Sequence, residues 1–231
     1  MLCDRETVRD CIRNRDGKRV YYLRKGDQLT SGAREFLSRE RIEILPAEEA
    51  KRERWQLLSG GYAQEKPEHM THLNGQILVP KTHPRIAFRG EVDGFGALLL
   101  LCQQHTQGQL RQDLEELLAY TRKLIRCDVM EEPVEAGTLC AMTERQLRQY
   151  SHDPQTHFGQ PHFMPGSADD PVILWLNALR CKARKMELSA VHAFSDRDGN
   201  PVRTDILQAC NRVSSLIYIL MIREKAKRTG K

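Results

Sequence analysis

The stretch Pro171–Val191, PVILWLNALRCKARKMELSAV, combines a helical core seam with a line of charged residues. Its apolar residues recur at alternating spacings of four and three: Val172, Leu176, Leu179, Ala183, Met186 and Ala190. At about 100° per residue, this spacing predicts a helix that buries one apolar stripe. We therefore expect this helix to lie in the core of a mainly α-helical fold.

Charged residues follow the same helical spacing along one flank of this stripe. Arg180, Arg184 and Glu187 lie roughly 80° from its centre, while Lys182 and Lys185 are predicted to point to the far side. One interpretation is a flank of ion pairs, because Glu187 is within one or two turns of both arginines. The other is an anion site, because paired guanidiniums suit polyphosphate and a nearby carboxylate keeps them oriented when the site is empty.

Composition favours a mainly α-helical protein without a nucleic-acid surface. Of the 231 residues, 40% are hydrophobic and only 6% aromatic, and the leucine-rich segments have helical spacing. The net charge of +5 comes from 36 basic and 31 acidic residues that form no basic stripe. No apolar N-terminal run and no 18-residue uncharged span is present, so we expect a cytoplasmic protein without a membrane helix.

The cysteines and histidines do not predict a protein-built metal site. The seven cysteines are spread singly, with no C-x-x-C pair, which is typical of reduced structural thiols. Among the eight histidines, the pairs His69 with His72 and His157 with His162 have no third partner at ligand spacing.

The chain is predicted to contain three regions. Residues 1–46 form a small α+β module, residues 47–70 a charged helical piece and a linker, and residues 71–231 a helical bundle. The expected elements of the module are a helix near Thr7–Arg13, a strand at Val20–Leu23, a helix capped by Thr30 or Ser31, and a strand at Ile42–Leu45.

The first bundle helix follows a loop that carries Lys81 and Arg85. Its predicted seam is Phe88, Val92, Phe95, Leu99 and Cys102. Asp93 falls on the opposite side, beside the small residues Gly96 and Ala97, which allow a close approach. A surface ion pair with Arg89, four residues away, is the alternative role for Asp93. A second helix at Gln109–Cys127 is expected to form an antiparallel hairpin with the first.

The rest of the bundle region contains an irregular segment and a long apolar helix. The T-x-x-Q pattern at Thr143 predicts a capping box, and HFMPG at 162–166 places an aromatic residue beside a turn. The last helix, Asp205–Arg223, is apolar nearly all round. It is either the centre of the bundle or meets another subunit with its second face, where Tyr218 and Asn211 lie; a buried Asn211 needs a hydrogen-bonding partner.

Four motifs in this order resemble those of the ATP:corrinoid adenosyltransferases of the PduO and EutT kind. They are K-x-x-x-R at Lys81 and Arg85, G-x-V-D at Gly90, Val92 and Asp93, R-x-x-x-R-[RK]-x-E at Arg180, Arg184, Lys185 and Glu187, and N-R-[LV]-S at Asn211, Arg212, Val213 and Ser214. The wording THLNGQILVPK, PRIAFR and DILQACNRVSS is most similar to the EutT branch.

The sequence departs from the PduO pattern in the nucleotide loop and in two helices. MTHLNG replaces the T-G-D-x-G loop, Gly94, Phe95 and Gly96 replace E-L-N, and Ser215 replaces an aspartate. The H-x(11)-C-C-x-x-C metal motif of some EutT enzymes is absent between Pro46 and Thr71. The resemblance therefore implies no bound transition metal.

The resemblance implies a bundle of about five helices that transfers the 5′-deoxyadenosyl group of ATP to cob(I)alamin and releases triphosphate, with Mg²⁺ on the phosphates. The implied catalytic residues are Arg184, Arg180, Glu187 and Asp93. The implied ATP-binding residues are Lys81, Arg85, Thr71, His72, Asn74, Gly75, Arg180, Arg184 and Asn211. The implied corrinoid-binding residues are Phe163, His162, Met164 and Phe158, with Phe163 displacing the lower axial ligand of cob(II)alamin.

The resemblance also implies partners and a location. We expect a homo-oligomer, with a trimer favoured and sites between subunits. Its expected partners are a reductase and the cobalamin-dependent lyase that it serves, such as ethanolamine ammonia-lyase. No nucleic acid or membrane is expected as partner, and the location is the cytoplasm, within or near a bacterial microcompartment. The alternative function is a non-catalytic bundle that binds nucleotide or corrinoid, or acts as a microcompartment scaffold, with the arginines as structural ion pairs.

Overall fold

The computed structural model describes residues 2–15, 17–47, 55–63, 65–75 and 77–229. The chain folds into two compact units, Met1–Pro67 and Glu68–Lys231. The first unit is small and mixed α/β, and the second is mainly helical. The boundary after Pro67 falls inside the stretch 47–70 that the sequence predicts as a linker.

The first unit contains a parallel strand pair joined by a helix. In chain order its elements are β1 (Leu2–Cys3), α1 (Arg5–Asp10), β2 (Arg13–Arg15), β3 (Lys18–Leu23), β4 (Gln28–Leu29), α2 (Ser31–Arg39), β5 (Glu43–Pro46), β6 (Trp55–Leu57) and β7 (Tyr62–Ala63). Strand β3 pairs parallel with β5 and antiparallel with β2, while β1 pairs parallel with β4. Strands β6 and β7 form an antiparallel pair.

Most of the predicted module elements are confirmed. Strands β3 and β5 match the predicted strands, and Thr30 caps α2 by accepting a 3.2 Å hydrogen bond from the backbone N–H of Ala33. Helix α1 begins earlier than predicted, because Asp4 caps it. The charged helical piece expected after Pro46 falls on residues 48–54, outside the described residues, and the following residues form β6 and β7 instead.

The second unit contains four long helices and several short elements. In chain order its elements are β8 (Met70–Asn74), β9 (Ile77–Pro80), α3 (Pro84–Gln103), α4 (Gly108–Val129), β10 (Thr138–Leu139), β11 (Met142–Thr143), α5 (Glu144–His152), α6 (Pro154–Phe158), α7 (Pro171–Ala193) and α8 (Thr204–Thr229). The predicted capping box at the start of α5 is present between Thr143 and Gln146. The predicted seam of α3 is buried, as is the predicted stripe of α7, except that Ile173 takes the buried position expected for Val172.

Helices α3 and α7 pack antiparallel. The ring of Phe88 near the start of α3 lies 5.2 Å from that of Phe194 at the end of α7. At the other end, His105 after α3 stacks on Trp175 near the start of α7, at 4.9 Å. Helix α8 also packs against α7, so α7 lies between two neighbouring long helices along its buried stripe.

Helix α8 is the centre of this unit. Helices α4, α5, α6 and α7 all contact it, and residues are buried around its circumference, including Ile206, Val213, Leu216, Ile219 and Ile222. On its second face Ile222 is buried within the chain, while Tyr218 and Asn211 are half-buried. The helix is apolar enough over Thr204–Arg228 to span a membrane by length and composition, but 61% of that window is buried in the protein, as in a core helix.

Candidate active site

The charged flank of α7 does not form the ion pairs that its spacing suggests. Arg180 and Glu187 are half-buried and Arg184 is exposed. Glu187 instead accepts a 2.6 Å hydrogen bond from the side-chain amide of Asn211 on α8. Among the described residues no carboxylate lies within 4.0 Å of the guanidinium of Arg180 or Arg184. The interpretation of this flank as paired arginines is therefore wrong.

Arg180 is held by an aromatic ring. Its guanidinium carbon lies 5.7 Å from the centroid of the Tyr218 ring on α8. Its Nε atom is buried and has no hydrogen-bond partner within the described chain. Since buried donors are normally satisfied, this atom indicates a place where an acceptor is missing.

The predicted corrinoid loop contacts the same tyrosine. His162 Nδ1 lies 2.7 Å from the Tyr218 hydroxyl oxygen, and the two rings are stacked at 5.7 Å. The next residue, Phe163, packs against the bundle core with the Lys225 ammonium 5.5 Å from its ring centroid. Tyr218 thus joins the arginine flank to the loop.

The other two residues predicted for the corrinoid differ in exposure. Met164 is 85% exposed and so presents an apolar side chain to solvent. Phe158 packs edge-on against Tyr150, with ring centroids 5.7 Å apart. Met164 is therefore more exposed than Phe158, which is half-buried.

The residues predicted at the start of α3 lie around a buried carboxylate. Asp128 at the end of α4 is fully buried and accepts hydrogen bonds from Arg85 Nε at 2.7 Å and Arg89 Nε at 2.6 Å. Arg89 therefore does not pair with Asp93 as the alternative interpretation had it. Asp93 is exposed on α3, and Arg85 has much of its charge engaged by Asp128.

The predicted nucleotide loop is tied to this cluster. Arg89 donates to the backbone carbonyl oxygen of Leu73 in β8 at 2.7 Å. The Asn74 amide donates to Glu131 at 2.6 Å, while its Oδ1 atom is buried without a partner in the described structure. Gly75 then turns with a φ of 44°, a left-handed value that disfavours residues with a Cβ.

The remaining predicted ATP residues surround the β8–β9 hairpin. Thr71 and His72 are half-buried in β8, where Thr71 stands opposite Val79 and His72 opposite Leu78. Lys81 follows β9 with an exposed side chain, and its backbone N–H donates to the His69 carbonyl oxygen at 2.9 Å. Burial and the neighbouring arginines lower the pKa of His83, the N-cap of α3.

The small residues of α3 admit a lysine from α7. A Cβ on Gly94 would lie 2.8 Å from the Lys182 Nζ atom, which crosses this glycine to reach Glu91 at 2.7 Å. Lys185 also pairs with Glu91, at 3.1 Å. The hydrogen bond from Lys182 lowers the pKa of Glu91. The two lysines therefore face α3. The helical wheel predicts instead that they point away from the packed helices.

The predicted site residues form two groups at different heights of the bundle. Lys81, Arg85 and the β8 residues lie near the start of α3, which packs beside Phe194. Arg180 and the loop around Phe163 lie toward the other end, roughly 20 Å away along α7 at about 1.5 Å per residue. Arg184 and the Glu187–Asn211 pair are in between.

The described residues contain no group of three His, Cys, Asp or Glu side chains that could hold a metal ion.

Tyr218 is the contact residue that the sequence interpretation missed as part of the site. Helical spacing places it on the reverse face of α8 with Asn211, and a tyrosine on an otherwise apolar helix needs a partner for its hydroxyl group. That requirement was the only available signal.

Comparison with known proteins gives one family. The model of the cobalamin adenosyltransferase family matches residues 61–224. The chain is 33% identical over 162 residues to the corrinoid adenosyltransferase EutT of Salmonella typhimurium, covering 70% of this chain and 61% of that protein. It is 31% identical over 157 residues to the EutT of Escherichia coli K12, covering 68% and 59% respectively. The chain thus spans about three fifths of the length of these curated relatives.

Proposed function

Because the chain belongs to the cobalamin adenosyltransferase family, we propose that it transfers the 5′-deoxyadenosyl group of ATP to cob(I)alamin. The cobalt electron pair forms a bond to C5′, the C5′–O bond breaks, and triphosphate leaves with the two electrons of that broken bond. The products are adenosylcobalamin and inorganic triphosphate. The names of the EutT relatives support the corrinoid as acceptor.

The observation that carries this proposal is the state of the two arginines on α7. Both stand in the family motif, and neither has a carboxylate partner among the described residues. Their N–H donors are therefore available to the triphosphate leaving group, which carries about four negative charges. The arginines bind this group more strongly as its charge develops in the transition state. In this proposal Arg184 and Lys81 bind the triphosphate and Arg180 binds a phosphate or the ribose.

In this proposal three further residues complete the nucleotide site: Asn211, Glu187 and Asp93. The Asn211–Glu187 hydrogen bond orients the carboxylate beside the arginines. Asp93, which is exposed on α3, binds the ribose or the adenine. Mg²⁺ would enter this site as its complex with ATP and would supply positive charge to the phosphates.

The corrinoid in this proposal lies against the loop around Phe163. A phenyl ring held against the lower face of cobalt removes its axial ligand without coordinating the metal, and four-coordinate Co(II) is easier to reduce. The exposed Met164 and the polar side chain of His162 contribute the rest of the contact. The apolar packing of the Phe163 ring beside the bundle core supports this role.

We further propose that the active form is an oligomer, with a trimer favoured, and that α5 is the fifth helix of the bundle. The separation of the two groups of site residues supports sites shared between subunits. Leu188, which is 67% exposed, and Val191 continue the exposed face of α7 beyond Arg184 and provide an apolar contact surface. We also propose that the protein lies in the cytoplasm, in or near a microcompartment. Its partners in this proposal are a reductase and a cobalamin-dependent lyase.

One assay tests the function directly. Purified protein is mixed with ATP, Mg²⁺ and chemically reduced cob(I)alamin, and the formation of light-sensitive adenosylcobalamin is followed by absorbance. Turnover supports the enzyme. Binding of ATP and corrinoid without any adenosylcobalamin would support the alternative, a non-catalytic binding or scaffold bundle.

A further inference from the structure

Tyr218 is the one side chain that contacts both the arginine flank and the Phe163 loop among the described contacts. It is half-buried on α8, with its ring under the Arg180 guanidinium at 5.7 Å and its hydroxyl oxygen 2.7 Å from His162 Nδ1. None of the four family motifs includes this position. The family motifs therefore do not explain the contacts of Tyr218.

The hydrogen-bond pattern fixes the direction of the tyrosine–histidine contact. His162 Nε2 lies 3.2 Å from the backbone carbonyl oxygen of His152, which can only accept. Nε2 therefore carries the proton of the neutral ring, and Nδ1 accepts from the Tyr218 hydroxyl group. Burial raises the pKa of Tyr218, while the Phe163 backbone and the Arg180 charge lower it in part, so the hydroxyl group keeps its proton at neutral pH.

The ring contact holds Arg180 in a different way from an ion pair. A cation over an aromatic face is attracted to the ring without using its N–H donors. A carboxylate would occupy those donors and neutralise the charge. The buried Nε atom of Arg180 has no partner among the described residues, which agrees with a guanidinium that is oriented by the ring while its N–H donors stay unoccupied.

We propose that Tyr218 is a positioning residue that serves both substrate halves of the site through two separate contacts. Its hydroxyl group anchors the loop carrying Phe163 through His162, and its ring orients Arg180 toward the phosphate or ribose. This inference rests on the proposed function and deepens it. It predicts that the two contacts can be separated, because the hydroxyl group serves the corrinoid side and the ring serves the ATP side.

The substitution Tyr218→Phe tests the hydroxyl contact, because it keeps the ring. Without substrate, hydrogen–deuterium exchange of peptides covering 158–166 should rise about three- to tenfold, the worth of one hydrogen bond, while the α3–α4 hairpin is unchanged. The corrinoid KM should rise by a similar factor and the ATP KM should not. Tyr150→Phe is the matched control, since Tyr150 packs beside the same region and contacts neither His162 nor Arg180 in the described contacts.

The substitution Tyr218→Leu tests the ring contact. It should raise the ATP KM about two- to tenfold beyond the value in Tyr218→Phe, because Arg180 loses its orienting face. If this variant fails to fold, Tyr218→Phe combined with His162→Ala still tests the hydroxyl contact. If the hydroxyl group acts through His162, the corrinoid KM of the double variant equals that of His162→Ala alone, whereas independent multiplicative effects overturn the inference.

The outcomes separate this inference from the proposed function. Wild-type protein that forms no adenosylcobalamin overturns the function, and the exchange of residues 158–166 still decides whether Tyr218 anchors the loop. An active wild type whose Tyr218→Phe variant shows unchanged loop exchange and unchanged corrinoid KM overturns the positioning role alone.

Discussion

The side-chain amide of Asn211 on α8 donates a 2.6 Å hydrogen bond to the carboxylate of Glu187 on α7. Both residues stand in motifs shared with the adenosyltransferases, and both are half-buried between the two helices. The bond explains why Glu187 does not pair with the arginines of its own helix. It also holds the carboxylate on the same flank of α7 as the arginines, and in our proposal the carboxylate orients the site there without neutralising their charge.

Asn211→Ala should lower the free energy of unfolding by about 1–2 kcal/mol, because the half-buried Glu187 carboxylate loses its partner. Chemical denaturation measures this change. Gln208→Ala is the control on the same helix, since Gln208 is exposed, its amide bonds Glu144, and its loss should cost about 0.5 kcal/mol or less. Equal stability of Asn211→Ala and wild type would contradict the structural importance of this bond.

Arg184→Ala should lower turnover about 100-fold or more, the scale of losing one transition-state donor. Its melting temperature should stay near the wild-type value, because the side chain is exposed and unpaired among the described residues. Arg184→Lys should not restore the rate, since a point charge lacks the planar fork of a guanidinium. Lys185→Ala, which loses only a pair with Glu91, is the control. A near-native rate with altered stability in Arg184→Ala would indicate a structural role.

Phe163→Ala should retain ATP binding and lose the spectroscopic signature of four-coordinate Co(II) when mixed with cob(II)alamin and ATP. The reason is that the apolar group that displaces the lower axial ligand is gone. Turnover should slow far more with a weak biological reductant than with preformed cob(I)alamin. Wild-type yield of the four-coordinate species in this variant, together with its loss in Phe158→Ala, would transfer the role to Phe158.

Asp128→Ala should destabilise the protein by about 3–5 kcal/mol, because it leaves the charges of Arg85 and Arg89 without their buried partner. The melting temperature and chemical denaturation report this loss. Glu132→Gln is a suitable control, since Glu132 pairs with Arg126 at 3.4 Å on the surface and should contribute less than about 1 kcal/mol. Similar stability losses in the two variants would mean that burial of Asp128 has no special effect.

Activity should require Mg²⁺ together with ATP and no protein-bound iron or zinc. The expectation comes from the scattered cysteines of the sequence and the missing C-C-x-x-C motif. Elemental analysis of the purified protein, before and after chelation and with Mg²⁺ restored, is the measurement. Stoichiometric iron or zinc that is lost together with activity would refute the prediction.

The sequence predicts the helices of the second unit well, because their apolar periodicity is regular. The buried seams of α3 and α7, the capping box of α5 and the cap at Thr30 all agree with the structure. These features depend on residues one to four positions apart, so local spacing contains the necessary information. The family motifs likewise indicated the arginines of α7 without any structure.

The tertiary structure alone decided which partner each half-buried polar side chain takes. Glu187 bonds Asn211, Arg89 bonds Asp128 and Arg180 lies over Tyr218, while the sequence suggested pairs within single helices. It also decided which apolar residues of α8 are buried within the chain, among them Leu216, Ile219 and Ile222. Helical periodicity fixes the face on which a residue lies, but the partner depends on which helix packs there and at what height, and both are set by contacts between residues far apart in the sequence.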